Sequence, residues 1–320
     1  MSYTVEIKEE ISNIKSSKSE TIAELSAYIR NNGYINNNSI MLSTENHFLI
    51  KRIIEEIKNL YDIDLKEQVV ENLNFSKKDL YQIKITEKVD KICKDLGIYD
   101  ENGNYLDVVP NYIVGANEEI RAYLRGIFFA SGSINDPKKS RYHMELLTIR
   151  PEEAVFVQKL LNLFELNAKI LGREKGYMIY IKEAEKISDF IKILGANKAV
   201  MYYENVRIYR DQKNKTNRLN NCEQANMDKV FETAREQLIQ IEIIEKNDGV
   251  MLLDDRTKQT LEYRKKYPEA SLKELAEIIS IETGKKITKS GLNHRMRKIK
   301  ELSTRFKERD KENNELVNKK

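Results

Sequence analysis

Cysteine and histidine are scarce in this chain of 320 residues, which contains two of the first and three of the second. Cys93 and Cys222 lie far apart, and neither has a cysteine or histidine neighbour at the spacing of metal ligands. We therefore expect reduced thiols and no structural zinc site. The histidines, His47, His143 and His294, are scattered, so the sequence predicts neither a bound metal nor a cofactor.

Long apolar runs, a leader peptide and the common catalytic signatures are missing as well. No apolar run approaches the roughly 18 residues that span a bilayer. The N-terminus is acidic within its first ten residues, unlike a signal peptide. The chain has no glycine-rich phosphate loop, nucleophile triad or HxxxH pair. We expect a cytoplasmic protein that does not contact a membrane.

Positive charge is concentrated near the end of the chain. The net charge is +4, but residues 255–309 hold 16 Lys and Arg against eight Asp and Glu, which leaves the first 254 residues net acidic. A compact basic segment behind an acidic body favours binding of a polyanion by that segment. A solvated lysine-rich tail is the alternative interpretation.

The first 200 residues contain an internal repeat. LSAYIRNNGYI at 25–35 aligns without gaps with LRGIFFASGSI at 124–134. After each motif come two strand-like pieces, an amphipathic helix with apolar residues at three- and four-residue steps, two further strands and a closing helix. The sequence therefore predicts an α+β fold with a duplicated αββαββα domain; an accidental likeness of two unrelated helices is the alternative.

A small residue stands at the same place in the first helix of each copy, Ala27 and Gly126. An interior glycine costs a helix about 1 kcal/mol relative to alanine, so a packing reason is expected. We predict that the two helices meet at these residues about a pseudo-two-fold axis, because small residues let helix backbones approach closely. Gly33 and Gly132, which end the helices, suit a left-handed cap.

This duplicated arrangement resembles the LAGLIDADG homing-endonuclease fold. The resemblance implies that the acid before the last glycine of the motif holds a catalytic metal ion, and that position is Asn32 in one copy and Ser131 in the other. Neither residue supplies the anionic oxygen that a hard divalent cation needs for phosphodiester cleavage. We expect no catalytic residues; a metal-dependent nuclease that uses nearby Asp136 instead is the less favoured alternative.

Asparagine and basic residues alternate after Tyr203, in ENVRIYRDQKNKTNRLNNCEQANMDKV. Short polar residues favour turns and exposed loops, so residues 204–229 are predicted to form a basic linker. Possible DNA contacts in it are Arg207, Arg210, Arg218 and Asn221, through phosphates and base edges. An ordinary exposed linker is the alternative. The continuous helical pattern after it, KVFETAREQLIQIEIIEK, is expected to space two domains.

Three short helical patterns then form a basic unit. DDRTKQTLEYRKKY at 254–267 stops at Pro268, and Ser271 with Glu274 forms the capping box of a second helix. If a third helix begins near Ser290, then Leu292, Met296, Ile299 and Leu302 fall on one face. This unit resembles a helix-turn-helix whose third helix enters the major groove of double-stranded DNA.

The polar face of that third helix supplies the predicted DNA contacts. Short and basic side chains near its start reach base edges, and lysines around it bind phosphates. The predicted DNA-binding residues are Ser271, Lys285, Lys286, Lys289, Ser290, Asn293, His294, Arg295, Arg297, Lys298 and Lys300, with Arg305 as a further phosphate ligand. A solvated basic face is the alternative.

The order of these parts is similar to that of the WhiA family of bacterial regulators. The motifs YLRGIFFASGSI, NRLNNCEQAN and TKSGLNHRMRKI carry the resemblance, which covers nearly the whole chain. It implies a non-enzymatic, nucleoid-associated DNA-binding protein with roles in cell division, chromosome segregation and, in spore formers, sporulation. It also implies transcription regulation, in some relatives together with a partner regulator, which we place on the N-terminal domain. A structural scaffold with incidental DNA affinity is the alternative.

The predicted domains correspond to these segments. Residues 1–203 form the degenerate LAGLIDADG-like domain, with repeats over about 20–100 and 119–200. The linker covers 204–229, the helix-turn-helix domain 230–310 and a polar tail 311–320.

Overall fold

A computed structural model describes residues 2–36, 38–70 and 79–317. Contacts divide the chain into two compact units, an N-terminal unit that ends at Asp211 and a C-terminal unit that begins at Gln212. Among the helices of the described ranges, none has the length and apolar character needed to cross a bilayer.

The N-terminal unit contains the repeat that the sequence predicts. A short helix, α1 (Tyr3–Ser12), precedes it. The first copy comprises α2 (Lys18–Asn32), β1 (Tyr34–Asn36), β2 (Ser39–Thr44), α3 (His47–Tyr61), β3 (Gln68–Val70), β4 (Leu80–Ile85) and α4 (Val89–Asp95). The second copy comprises α5 (Asn117–Ser131), β5 (Ser133–Ile134), β6 (Met144–Thr148), α6 (Pro151–Leu163), β7 (Lys169–Arg173), β8 (Gly176–Ile181) and α7 (Ala184–Leu194). The duplicated αββαββα order is confirmed.

The two sheets have the same antiparallel topology. Their strand orders are β1-β2-β4-β3 and β5-β6-β8-β7, so equivalent strands lie at equivalent places. One face of each sheet is covered by its amphipathic helix, α3 or α6, and the central strands β2, β4, β6 and β8 bury residues on that face. Ile40 and Ile85, which pair across β2 and β4, are examples. Alternation along each strand leaves the other face open.

The close approach predicted for the small residues is confirmed where α2 crosses α5. A Cβ added at Gly126 would collide with the carbonyl oxygen of Glu24 and lie 2.8 Å from Cβ of Ala27. Any larger residue at position 126 would force the helices apart. This packing explains why a residue that weakens a helix stands in the middle of α5.

The left-handed caps predicted at Gly33 and Gly132 are wrong. Both glycines have negative φ angles, −77° and −78°, with extended ψ angles. The reason for glycine is steric. Each N–H closes the last helical turn, and a Cβ at Gly33 would lie 2.6 Å from the carbonyl oxygen of Ile29, while one at Gly132 would lie 2.7 Å from Cα of Phe128.

The predicted linker is helical. Helix α8 (Asn197–Lys246) runs without a break through residues 204–229, so the expectation of turns and loops there is wrong. Neither glycine nor proline occurs between Gly195 and Gly249, and asparagine alone lowers helix propensity by well under 1 kcal/mol per residue. The side chains from Asp211 to Lys229 are all exposed.

The C-terminal unit packs three helices against the end of α8. They are α9 (Asp255–Lys266), α10 (Leu272–Thr283) and α11 (Lys289–Val317). Residues 311–317, predicted as part of a polar tail, continue α11, and residues 318–320 lie outside the described ranges. Leu275, Ile279, Leu292 and Ile299 form the centre of a core that also contains Ile241 of α8.

Candidate nucleic-acid interface

Asn32 and Ser131, where the LAGLIDADG resemblance implies a metal ligand, take part in sheet hydrogen bonding here. Oδ1 of Asn32 accepts from the backbone N–H of Ser43 at 3.3 Å. Oγ of Ser131 accepts from the N–H of Leu147 at 3.2 Å and donates to its carbonyl at 2.6 Å. The ladders pair Tyr34 with Met41 and Ser133 with Glu145, so each contact lies two residues beyond the end of its ladder, in the same register. These side chains therefore join a helix end to a strand.

Asp136, the carboxylate of the nuclease alternative, belongs to a turn. Its Oδ1 accepts from the N–H of Lys138 at 2.9 Å and from the hydroxyl of Tyr202 at 3.0 Å. Within the part of the chain that the structure describes, no three His, Cys, Asp or Glu residues are grouped as metal ligands. Asp136 thus stabilises this turn and joins it to Tyr202 of α8.

The trihelical unit is built by local signals that are visible in the sequence. Asp254 caps α9 through the N–H of Thr257 at 2.9 Å. Ser271 and Glu274 form the predicted capping box of α10, with hydrogen bonds of 3.2 and 2.7 Å. Gly284 ends α10 with a φ angle of +66°, where glycine is favoured. A short turn that contains Lys285 and Lys286 then leads into α11.

The first three turns of α11 expose one polar and basic face. Leu292, Met296 and Ile299 are buried against α9 and α10, as predicted, and Leu302 is half-buried. From the flank of this apolar stripe round to the side opposite it, the helix exposes Lys289, Ser290, Asn293, His294, Arg297 and Lys300. We call these six residues the α11 face. They present hydroxyl, amide, imidazole and guanidinium groups, which match base edges, with ammonium groups that match phosphates.

One acidic residue, Glu301, limits the α11 face. At about 100° per residue, Glu301 projects within roughly 40° of Arg297 and is exposed. Its carboxylate would repel a phosphate, so the part of α11 suited to DNA ends near Lys300. Arg305, one turn further along, is exposed but lies beyond this acid.

Two of the predicted DNA-contact residues, on the other edge of α11, contact α9 and its N-cap in the free protein. Arg295 is half-buried, and its Nη1 donates to the carbonyl of Arg256 at 3.3 Å and to Oγ1 of Thr260 at 3.2 Å. Lys298 is exposed, and its Nζ lies 3.0 Å from Oδ2 of Asp254. Arg295 therefore fixes the packing of α11. Ser271 is likewise engaged, since its Oγ caps α10.

The guanidinium of Arg264 is buried and holds the turn before α10. The sequence analysis did not identify this role. Arg264 is 1% exposed, and its Nη1 donates to the carbonyls of Tyr267 and Ala270, the latter at 2.6 Å. Burial lowers the pKa of this group. The two carbonyls lie in the turn that leads into Ser271, so Arg264 ties this turn to α9. The signal in the sequence was weak, because Arg264 is one of three consecutive basic residues.

The basic residues of α8 divide into two sets. Arg207 donates to Oε1 of Glu185 in α7 at 3.2 Å, and Arg210 donates to the carbonyl of Ser140 at 2.9 Å and stacks on Tyr142. Both therefore hold α8 to the N-terminal unit. Arg218 and Asn221 lie one turn apart on the exposed part of α8, where solvent surrounds them.

Three family models match this chain in order. The WhiA N-terminal LAGLIDADG-like domain matches residues 18–99, the WhiA LAGLIDADG-like domain residues 120–213 and the WhiA C-terminal HTH domain residues 216–303. The first two correspond to the two copies of the repeat. The third covers the trihelical unit and begins within the exposed part of α8.

Curated relatives match over nearly their whole length. A probable cell division protein WhiA of Enterococcus faecalis is 39% identical over 316 residues, which cover 97% of this chain and 99% of that protein. A protein of the same name from Bacillus cereus is 37% identical over 311 residues, with 96% and 98% covered.

A solved structure agrees with the fold. The crystal structure of full-length DUF199/WhiA from Thermatoga maritima aligns with a TM-score of 0.56 at 24% identity, over 96% of this chain and 99% of that one. The sequence matches, the duplicated LAGLIDADG-like fold and the helix-turn-helix unit agree with one another. The chain belongs to the WhiA family.

Proposed function

We propose that this protein is a non-enzymatic, sequence-specific DNA-binding regulator that acts in cell division. The observation that carries the proposal is the α11 face, an exposed set of base-reading and phosphate-binding side chains on the third helix of a helix-turn-helix. The names of the curated relatives support the link with cell division. Transcription control, chromosome segregation and, in a spore former, sporulation belong to the same proposal, as does a location on the nucleoid in the cytoplasm.

The α11 face contains side chains that contact bases and side chains that contact phosphates. Asn293, His294 and Arg297 enter the major groove, where a guanidinium binds guanine and an amide binds adenine in bidentate fashion. Lys289 and Lys300, with Lys285 and Lys286 of the preceding turn, bind phosphates and set the salt dependence. Because Glu301 repels phosphate, α11 inserts by its N-terminal end, as recognition helices do.

The exposed part of α8 is proposed as a second, weaker contact. Residues 212–229 carry seven Asn and Gln together with Lys213, Lys215 and Arg218, and every side chain is exposed. A helix with no buried face gains nothing from packing in the free protein, whereas phosphates and base edges match these groups. Arg218 and Asn221 are the proposed contacts.

A protein partner is proposed for the N-terminal unit. Leu147, Met178 and Leu171 are neighbours across β6, β8 and β7. Leu147 and Leu171 are 39% and 50% exposed on the open face of the sheet, and Met178 between them is buried. An apolar row on a net acidic body suits another protein better than a phosphate backbone. A partner regulator of transcription is the proposed occupant, and an intermolecular contact between copies is the alternative.

Absence of catalysis is proposed from the contacts of Asn32 and Ser131. Both side chains are used in sheet hydrogen bonding and neither carries a charge. Incubation of the purified protein with plasmid and Mg²⁺ or Mn²⁺ should leave the plasmid intact. Reproducible nicking that Asp136→Asn abolishes would establish the nuclease alternative.

Two substitutions on the α11 face test the DNA-binding proposal. A duplex enriched from a random pool by the full-length protein serves as the preferred site, and a random duplex as its comparison. Arg297→Ala should cost about 1–3 kcal/mol on the preferred site and less on the random duplex. Lys300→Ala should weaken both equally and flatten the salt slope. Equal losses on both duplexes for Arg297→Ala would instead establish a scaffold with incidental DNA affinity.

A further inference from the structure

The carboxylate of Asp254 holds two groups at once. Its Oδ1 accepts from N and Oγ1 of Thr257, both at 2.9 Å, which caps α9. Its Oδ2 lies 3.0 Å from Nζ of Lys298, at the edge of the α11 face. Because the cap fixes the carboxylate, Asp254 stays in place while the long side chain of Lys298 is free to change partner.

The pair is open to solvent beside the proposed DNA-binding face. About half of each side chain is exposed, 47% for Lys298 and 51% for Asp254, so solvent and a phosphate both have access to the ammonium group. The hydrogen bonds from Lys298 and Thr257 lower the pKa of Asp254, and the carboxylate is therefore ionised at neutral pH. A phosphate that approaches Lys298 has to compete with a fixed anion.

We infer that Asp254 is a specificity-determining residue, which keeps Lys298 from binding the phosphates of random DNA. The inference rests on the proposed function of α11. Binding to random DNA comes almost entirely from phosphate contacts, so the loss of one available lysine weakens it directly. On a preferred site the base contacts of Arg297 and Asn293 hold α11 in the groove, and Lys298 then exchanges Asp254 for a phosphate.

The substitution Asp254→Asn separates the two roles of the side chain. Asparagine caps a helix as well as aspartate does, so α9 should remain intact and the thermal midpoint should hardly move. The substitution removes the negative charge that pairs with Lys298. The full-length variant should bind a random duplex about three to five times more tightly at 0.1 M salt, and its salt slope should steepen by about 0.9. The slope on the preferred site should stay the same, so the ratio of the two affinities falls.

Asp255→Asn is the matched control. Asp255 is the next residue of the same helix, is exposed, and lies in the first turn of α9. Its substitution removes the same charge but leaves the contact with Lys298. It should therefore change the random-duplex slope much less than Asp254→Asn does. Adding Lys298→Gln to Asp254→Asn should return the slope to that of the original protein.

The outcomes separate this inference from the proposal beneath it. If Arg297→Ala loses preference as expected while Asp254→Asn matches the original protein or Asp255→Asn on random DNA, the role of Asp254 is wrong and the DNA-binding proposal stands. If the original protein prefers no duplex over another, the proposal itself fails.

Discussion

Nε of Arg125 donates to Oε2 of Glu24 at 3.0 Å across the contact between α5 and α2. The next residue of α5 is Gly126, and the carbonyl of the same Glu24 occupies the space that its Cβ would need. Arg52 of α3 reaches the other oxygen of this carboxylate at 2.6 Å. The two copies of the repeat are therefore joined at one point by both a steric fit and a buried ion pair.

Gly126→Ala tests the steric part of that junction. The added methyl group collides with backbone, which cannot yield as a side chain would, and the expected loss is about 2 kcal/mol of unfolding free energy after the gain in helix propensity. Thermal or urea unfolding of the full chain measures it. Gly172→Ala is the control, since a Cβ there meets nothing within 4 Å. Equal stability of the two variants would contradict the close approach.

Lys8 predicts a pH dependence of stability. Its ammonium is buried and donates to the carbonyl of Phe129 at 3.1 Å. Burial lowers its pKa from 10.5 to about 8. Between about pH 8 and 10.5 the unfolded chain therefore binds more protons than the folded one at this site, so this residue's contribution to the unfolding free energy rises with pH. Below pH 8 the cost of burying the charge is present in full.

Lys8→Met removes that cost. We expect a gain on the order of 2 kcal/mol at pH 7, allowing for the lost hydrogen bond, and the difference should shrink as the pH approaches 10.5. Denaturant titrations at several pH values measure the difference. Lys18→Met, at an exposed lysine of α2, should give no such trend. A constant difference between pH 7 and 10 would exclude the buried charge as its origin.

Arg264→Ala should unfold the C-terminal unit more easily. It removes a buried side chain and the guanidinium that donates to the carbonyls of Tyr267 and Ala270, for an expected loss of about 3 kcal/mol. Arg256→Ala removes the same charge from an exposed position of the same helix and should have little effect. Unfolding followed by circular dichroism compares them. Similar stabilities would mean that the turn before α10 does not depend on Arg264.

Arg218→Ala and Asn221→Ala test the exposed part of α8. Each should lower DNA affinity several-fold, and the arginine variant should also flatten the salt slope by about 0.9, the value for one phosphate. Arg235→Ala is matched in charge and lies further along the same helix, with its side chain exposed. Fluorescence anisotropy at several salt concentrations gives both quantities. If all three variants behave alike, residues 212–229 do not touch DNA.

Structural features that depend on residues close together in the sequence were predicted correctly. The capping box of Ser271 and Glu274 involves residues three apart, and the sequence specifies it without knowledge of the rest of the fold. The meaning of Gly126 was also predictable, because Ala27 marks the equivalent place in the first copy. Features that depend on the spatial position of the next element were not predictable. Whether Gly33 takes a left-handed or an extended conformation depends on where β1 must begin.

The contacts that Arg295 and Lys298 make within the protein were not predictable for the same reason. Arg295 and Lys298 lie near the polar side of α11 on a helical wheel, yet α9 packs along that edge and binds both of them. A wheel describes one helix and carries no information about its neighbour. Residues 204–229 were predicted as a linker because many of them have a weak preference for turns. They form a helix because none of them is a proline or glycine that would interrupt one.

Ser131 has a consequence for any return to nuclease chemistry. An aspartate there would still accept the N–H of Leu147, but an ionised carboxylate has no proton to give the carbonyl of that residue, and the two oxygens would repel one another. An acid at position 131 would therefore remove the hydrogen bond from this side chain to the carbonyl of Leu147. Sheet hydrogen bonding at Ser131 therefore disfavours a carboxylate at this position.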